Sequence, residues 1–425
     1  MKNILAIPVA LLLAPLAASH AAESRPQVVD EGLYFDVPAH EVAYNVQIVR
    51  LDSGGYMTVY HGEPKKSPGQ PGDAVKAAVQ PGRFAFTMPS ERRFAIHNDP
   101  TDTLWPLYSV GPMWGGAGNP LVIKGKGSDP YSYLFFLVLT DDDGDRAGED
   151  FRHQLCQART LDFHDFDLRV VMAGRIEWKP FRPDAPAEWK RPWLLRDTSG
   201  GRICSLQPRG FPHTQGLIGS ICFHDDRYHF FYTDRDTDGK TYLFHRTCPD
   251  LVSLHDDRTA WSSAVRLSDA VPTGTVIRVA LARDPTRWAV LYNGYQDGPN
   301  GLRQALFLHY TGDLSIHDAN GLAGVCWFDR IVGEYGISAD FLGLKSGGGI
   351  FAQHDFLTDP RGVLAVPEMD DGRPQIGGLL TWADFSRGVY GGQVYWARWL
   401  APTSPPAADI QHRQRADNRT GKKPS

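Results

Sequence analysis

Cysteine is scarce in this chain: five in 425 residues, namely Cys156, Cys204, Cys222, Cys248 and Cys326. None stands in a C-x-x-C pair, which speaks against a zinc ribbon or a dithiol redox site. No basic stripe stands out, and Lys plus Arg (44) fall below Asp plus Glu (49), for a net charge of −5. That balance excludes the electrostatic footprint of a nucleic-acid binder. Beyond the first twenty-odd residues no apolar run is long enough to span a bilayer. No amphipathic stretch of about 10–15 residues lies between the apolar runs, which argues against a βαβ design.

The abundant residues are 43 glycines, 31 prolines and aromatics at 11%, the composition of a turn-rich all-β chain. The start of the chain reads as an export signal. Lys2 precedes an apolar run from Ile4 to Ala18, and Ser19-His20-Ala21 offers small residues at −3 and −1, so cleavage is expected after Ala21. The mature protein is then secreted or periplasmic. Oxidation there could pair four of the five cysteines. Cys156, Cys222 and Cys248 lie in apparent strands and read as buried thiols.

Runs of β-branched and aromatic residues between Gly, Asp and Pro clusters predict strands. Five inner strands are expected at Tyr44–Leu51, Asn119–Lys124, Gly216–Phe223, Thr275–Ala282 and Ile337–Leu344. Each leads through a turn to a second strand: Tyr56–Tyr60, Tyr133–Leu139, Tyr228–Tyr232, Trp288–Tyr292 and Ile350–Gln353. Third strands are expected at His153–Thr160, Tyr242–Thr247, Ala305–Thr311 and Gln393–Leu400, with Arg92–His97 as the counterpart in the first unit. The nearly continuous apolar character of Tyr133–Leu139 fits a strand buried on both faces. An Asp-containing corner recurs at Thr160-Leu161-Asp162-Phe163, Thr247-Cys248-Pro249-Asp250-Leu251 and Thr311-Gly312-Asp313-Leu314. Repeated β units predict a radial array, here an all-β, five-bladed β-propeller with four-stranded antiparallel blades. The expected divisions are a signal peptide at 1–21, an N-terminal extension at 22–39, the propeller at 40–400 and a disordered tail at 401–425. Arg182–Trp193, rich in Pro and Trp, is expected to cover a face or join blades.

The strand–turn–strand–strand unit with its Asp-Leu corner resembles the five-bladed propeller glycosidases, the furanosidase clan of arabinanases, β-xylosidases and levanases. The corner is similar to the Ser-x-Asp-Leu-x-x-Trp ending of those blades, and its Asp should bond local backbone. The resemblance implies a glycoside hydrolase whose catalytic carboxylates sit at the starts of inner strands: an Asp-Pro base or nucleophile, a second Asp, and a Glu acid. This chain departs from that pattern. Gly118-Asn119-Pro120 carries an amide where Asp-Pro is expected, Gly219 and Ser220 lie near the second Asp position, and Arg278 stands near the Glu position. An amide is neither base nor nucleophile.

Other groups then become candidates. Asp340, amid apolar residues in Ile337-Ser338-Ala339-Asp340-Phe341, needs a partner or a function, and Arg278 is one such partner. Glu334 and Glu63 occupy Gly-flanked or turn settings, and Glu334 is placed to reach a central funnel. Asp340 and Glu334 form the expected catalytic pair, with Asp99 as an alternative base. Asn119, His213, Arg278, Trp114 and Tyr335 are expected substrate contacts, Trp114 and Tyr335 stacking on sugar faces, with Trp105 a further rim aromatic. Asp234, Asp236 and Asp238 form a D-x-D-x-D-G turn with the carboxylate spacing that calcium takes, but the twelfth position is His245 instead of Glu. Asp141-Asp142-Asp143-Gly144-Asp145 is a second acidic turn, and two at equivalent places favour a hairpin geometry as the cause. No cofactor is required, and calcium is the one cation the turns suggest.

The expected function is hydrolysis of a poly- or oligosaccharide by a secreted monomer without nucleic-acid partners. A non-catalytic glycan- or protein-binding propeller of the cell envelope is the alternative. A polysaccharide lyase drawing on His213, Arg278 and Tyr335 is a second alternative.

Overall fold

Val, Ile, Tyr and Phe runs broken by Gly, Asp and Pro give strands throughout. The computed structural model describes residues 27–36, 41–64, 74–82, 91–97, 107–109, 117–141, 151–172, 175–181, 202–203, 217–224, 226–251, 262–267, 278–284, 287–298, 301–311, 335–336, 355–358, 379–384 and 393–400. Every element among them is a strand. The first is β1 (Gln27–Asp36). An antiparallel meander follows: β2 (Glu41–Arg50), β3 (Tyr56–Pro64), β4 (Ala74–Gln80) and β5 (Glu91–His97), with β6 (Leu107–Ser109) added parallel to β5. The next is β7 (Ala117–Lys124), β8 (Ser132–Asp141), β9 (Phe151–Thr160) and β10 (Phe166–Met172), extended by β11 (Arg175–Phe181), while β12 (Arg202–Ile203) also pairs with β10.

Two separate four-stranded sheets follow. One is β13 (Leu217–His224), β14 (Arg227–Arg235), β15 (Thr241–Cys248) and β16 (Val265–Arg266). The other is β17 (Val279–Asp284), β18 (Arg287–Gly298), β19 (Gly301–Thr311) and β20 (Tyr335–Gly336). The last strands are β21 (Asp355–Thr358), β22 (Leu379–Asp384) and β23 (Gln393–Leu400). They form an antiparallel set completed by β1, which pairs with β23 from Gln27↔Leu400 to Asp36↔Gln393. A short parallel pairing of β2 with β21, Ile48↔Leu357 and Val49↔Thr358, joins this set to the β2–β6 meander as one nine-stranded sheet.

Side chains alternate across each strand, and the β7–β10 sheet uses both faces. Val122, Leu134 and Phe136 pack with Val49, Met57, Val75, Phe94 and Ile96 of the first meander. Leu121, Ile123, Tyr133 and Phe135 pack on the other side with Ile221, Tyr228, Phe230 and Tyr232. Burial on two faces is why Tyr133–Leu137 reads as unbroken apolar sequence. Each such side chain contributes about 1.5–3 kcal/mol. Phe94 meets Phe166 edge-on at 4.8 Å, and Phe135 meets Phe230 edge-on at 6.2 Å.

Two expectations about elements are corrected. Arg92–His97 is the fourth strand of its set, not the third; the third is Ala74–Gln80, whose three alanines carry little strand propensity. Gln27–Asp36, within the segment expected to precede the array, is itself a paired strand. The segments expected at Ile337–Leu344 and Ile350–Gln353 lie outside the described residues, as do Arg182–Trp193 and the tail. Cys156, Cys222 and Cys248 are buried thiols without disulfides; burial pushes the Cys248 thiol up to about 11.

The first corner is built by its own polar groups. Thr160 Oγ1 accepts from Phe163 N at 2.8 Å, and Asp162 Oδ1 accepts from His164 N at 2.8 Å and Asp165 N at 3.3 Å, while Phe163 takes φ 62°. Burial raises the Asp162 carboxyl, but these backbone donors outweigh it and hold the group below its ordinary value. The second corner is made differently: Cys248 Sγ donates to Asp250 O at 3.1 Å, and Leu251 O accepts from Gln157 Nε2 at 2.8 Å.

Candidate functional site

Three strands, β2, β7 and β13, share one irregularity. In β2, Tyr44 pairs with His61 and Gln47 with Val59, so β2 carries one residue more than its partner. In β7, Gly118 pairs with Leu137 and Leu121 with Phe135, again with one residue extra. In β13 the extra residue falls between Ile218↔Tyr232 and Ser220↔Phe231. These are β-bulges, which turn side chains that regular pairing would point elsewhere. The bulge residues are Asn45-Val46, Asn119-Pro120 and Gly219. Asn45 (φ 52°) and Asn119 (φ 51°) adopt the left-handed backbone that asparagine accepts better than most residues. Pro120, with no N–H to give a ladder, fits a bulge.

The bulges are cross-linked by buried polar groups. Gln47 Oε1 accepts from Val122 N at 2.7 Å, and Gln47 Nε2 donates to Val122 O at 3.1 Å, tying β2 to β7. Asn119 Nδ2 donates to Ile218 O at 2.9 Å, tying β7 to β13. Ser220 Oγ accepts from Val279 N at 2.7 Å, tying β13 to β17. Arg278, the residue before β17, donates from Nη1 to Gly219 O at 2.8 Å and from Nη2 to Asn45 O at 3.2 Å, with a longer contact to Pro120 O at 3.5 Å. One guanidinium thus meets the bulges of three strands. Asn45, Gln47, Asn119, Ser220 and Arg278 are all buried. Asn119 Oδ1 is a buried acceptor without a hydrogen-bond partner. Gly118 lies under the His61 ring: a Cβ there would fall 2.5 Å from His61 Cε1.

Of the expected site residues, Asn119 and Arg278 therefore meet at this hub. Tyr335 begins β20, opposite Leu306. Asp340, Glu334, Asp99, His213, Trp114 and Trp105 lie outside the described residues. Gly219 and Ser220, noted as near an expected acidic position, are hub members. Asn45 and Gln47 were not anticipated. The signal that could have found Asn45 is its place at the head of Asn45-Val46-Gln47-Ile48-Val49, matching Asn119-Pro120-Leu121-Val122-Ile123.

The Asp234–Gly239 turn lies in the β14–β15 hairpin, and its carboxylates serve separate ends. Asp234 is a buried strand residue opposite Tyr242. Asp236 Oδ1 accepts from Thr237 N at 2.7 Å, and Arg266 Nη1 donates to Asp236 Oδ2 at 3.2 Å. Asp238 accepts from Tyr242 Oη at 2.5 Å and from Lys240 N at 2.9 Å. The Tyr242 hydroxyl and the Lys240 amide hold the Asp238 carboxyl below its ordinary value. Gly239, at φ 78°, closes the turn onto Asp236 O. Among the described residues no three His, Cys, Asp or Glu side chains converge as a metal site, and no helix is long and apolar enough to cross a membrane.

No protein-family model matches the sequence, and no curated protein matches it. By structure the chain is similar to an α-L-arabinofuranosidase from Lactobacillus brevis, at 10% identity, covering 88% of this chain and 97% of that one, with a TM-score of 0.44. It is similar to a family 117 glycoside hydrolase from the marine bacterium Zobellia galactanivorans, at 11% identity, 88% and 91% coverage and a TM-score of 0.46. It is also similar to the catalytic domain of a GH62 α-L-arabinofuranosidase from Coprinopsis cinerea, at 9% identity, 87% and 95% coverage and a TM-score of 0.43.

Proposed function

We propose that the chain is an exported, monomeric five-bladed β-propeller that hydrolyses a glycosidic bond in a poly- or oligosaccharide. The observation that carries this reading is the convergence of β2, β7 and β13 on the one guanidinium that precedes β17. Strands of four separate sets that meet at one side chain are what a radial array requires. The antiparallel sets, the last completed by β1 on β23, support five blades closed by the two ends of the chain. A central site at the strand starts then gathers reacting groups from several blades.

Asp340 and Glu334 are the acid/base pair in this reading, with Asp99 the alternative base and His213, Trp114 and Tyr335 contacting the sugar. Two carboxylates, one protonated and one ionised, are what the chemistry needs. No cofactor enters it. The test is release of reducing ends from a panel of plant, microbial and mycobacterial glycans by the purified protein. Asp340→Asn is expected to abolish release, and full activity in that variant removes Asp340 from the site. Mass spectrometry of the exported protein is expected to find its N-terminus at Ala22, and size-exclusion chromatography is expected to find one chain per particle.

The amide of Asn119 favours a second reading, a propeller that binds glycan without cleaving it. Asn119 Nδ2 gives a bond to Ile218 O that a carboxylate could not give. Binding without product on the same panel selects this reading, and unsaturated products select a lyase.

A further inference from the structure

We infer that Arg278 is a positioning residue: a latch that fixes the bulges of β2, β7 and β13 relative to one another, so that the three open and close as one unit. The carbonyls it holds belong to Gly219, Asn45 and Pro120, which lie 59, 233 and 158 residues away in the chain. Each is a bulge residue, outside the paired register of its strand, and each turns its carbonyl to the guanidinium. The planar guanidinium presents five N–H donors in a fixed fork and keeps its charge when buried. At 4% exposure its bonds are not diluted by solvent. Gln47, Asn119 and Ser220 then link the same strands pairwise around it.

The arrangement gives a built-in reporter. The amides of Val122 and Val279 donate to side chains on neighbouring strands, at 2.7 Å each, instead of to a ladder carbonyl. Their hydrogen exchange reads whether the strands are docked on one another. The inference rests on the proposed function only in assigning those bulges to the site.

Hydrogen exchange by mass spectrometry is the test. In the unmodified protein under mild denaturant, the segments around Asn45, Val122, Gly219 and Val279 are expected to open with one shared dependence on denaturant. In Arg278→Met those segments are expected to exchange at least about 100-fold faster together, the loss of two charge-assisted hydrogen bonds, while β4 and β5 keep their rates. Arg278→Lys should not restore protection, because an ammonium point charge cannot span carbonyls from three strands. Independent opening of the segments, acceleration confined to the region of residue 278, or full rescue by lysine each overturns the latch. Should Arg278→Met fail to fold, the experiment on the unmodified protein decides alone. A glycan panel without a ligand removes the functional reading and leaves the latch standing. Independent opening with glycan cleavage intact removes the latch and leaves the function.

Discussion

Asn119 holds two unlike requirements in one residue: a backbone at φ 51° and an amide that reaches Ile218 O. Two substitutions separate them. Asn119→Gly keeps the backbone easy and loses the bond, leaving a buried carbonyl without that donor, at a cost of about 1–3 kcal/mol. Asn119→Ala loses the same bond and also strains the left-handed backbone, so it is expected to fall about 1 kcal/mol further. Denaturant midpoints compared at equal slope check both; equal losses would mean that the backbone conformation carries no strain. At the Asp162 corner the carboxylate accepts two backbone N–H groups near the surface. Asp162→Ala is expected to cost about 1 kcal/mol and Asp162→Asn, which keeps an acceptor at Oδ1, less than half of that. Thermal unfolding of the two variants side by side reads the difference.

The elements that carry the hub sit close together, and Gly118 shows how close. With a Cβ 2.5 Å from the His61 ring, Gly118→Ala must push aside a buried histidine whose own strand is fixed by pairing on both sides. The expected cost is about 1–3 kcal/mol, with His61→Ala in the same chain recovering part of it; a double-mutant cycle measures that coupling. At this scale the sequence was legible where β-branched and aromatic residues run together: Tyr133–Leu139 lies wholly within β8, and Gln393–Leu400 matches β23. It misled where packing overrides propensity. Ala74–Gln80 is a largely buried strand of Ala and Val with Lys76 and Gln80 partly exposed, and with it unseen Arg92–His97 took the wrong place in its set. The hub was legible only as isolated oddities. Asn119 was noticed as a missing carboxylate and Arg278 as a partner for Asp340 and a substrate contact. What joins them are contacts across 59 to 233 residues of sequence, and no periodicity records which carbonyl a bulge has released.

For the molecule as a whole, two features set how it fails. Tyr34, Tyr133, Tyr228 and Tyr232 all have phenols raised by burial above their ordinary value. A group raised in the folded state stabilises it fully below the unfolded value of about 10, and that contribution is lost as pH climbs further toward the folded value. Stability should therefore fall steeply above about pH 10, and unfolding midpoints across an alkaline series check it; a flat profile would mean that these rings ionise without unfolding.

The second feature is closure. β1 pairs with β23 along its length, and Tyr34 within β1 reaches past that set to bond Thr58 Oγ1 on β3 at 2.5 Å. One strand thus joins the last set of strands to the first. Tyr34→Phe keeps the ring buried and removes only that hydroxyl bond, so a loss of about 1 kcal/mol is expected. Deleting residues 1–36 removes the strand, the ring and the bond together, and uncovers the full edge of β23. The unfolding midpoint should then drop by about 5 °C or more, and the exposed edge should pair with other chains. Calorimetry and size-exclusion chromatography of the truncated protein read the two effects separately. A monomer with an unchanged midpoint would mean that β1 only decorates the edge of β23, whereas a less stable, self-associating chain means that β1 is the strand that ties the last set to the first.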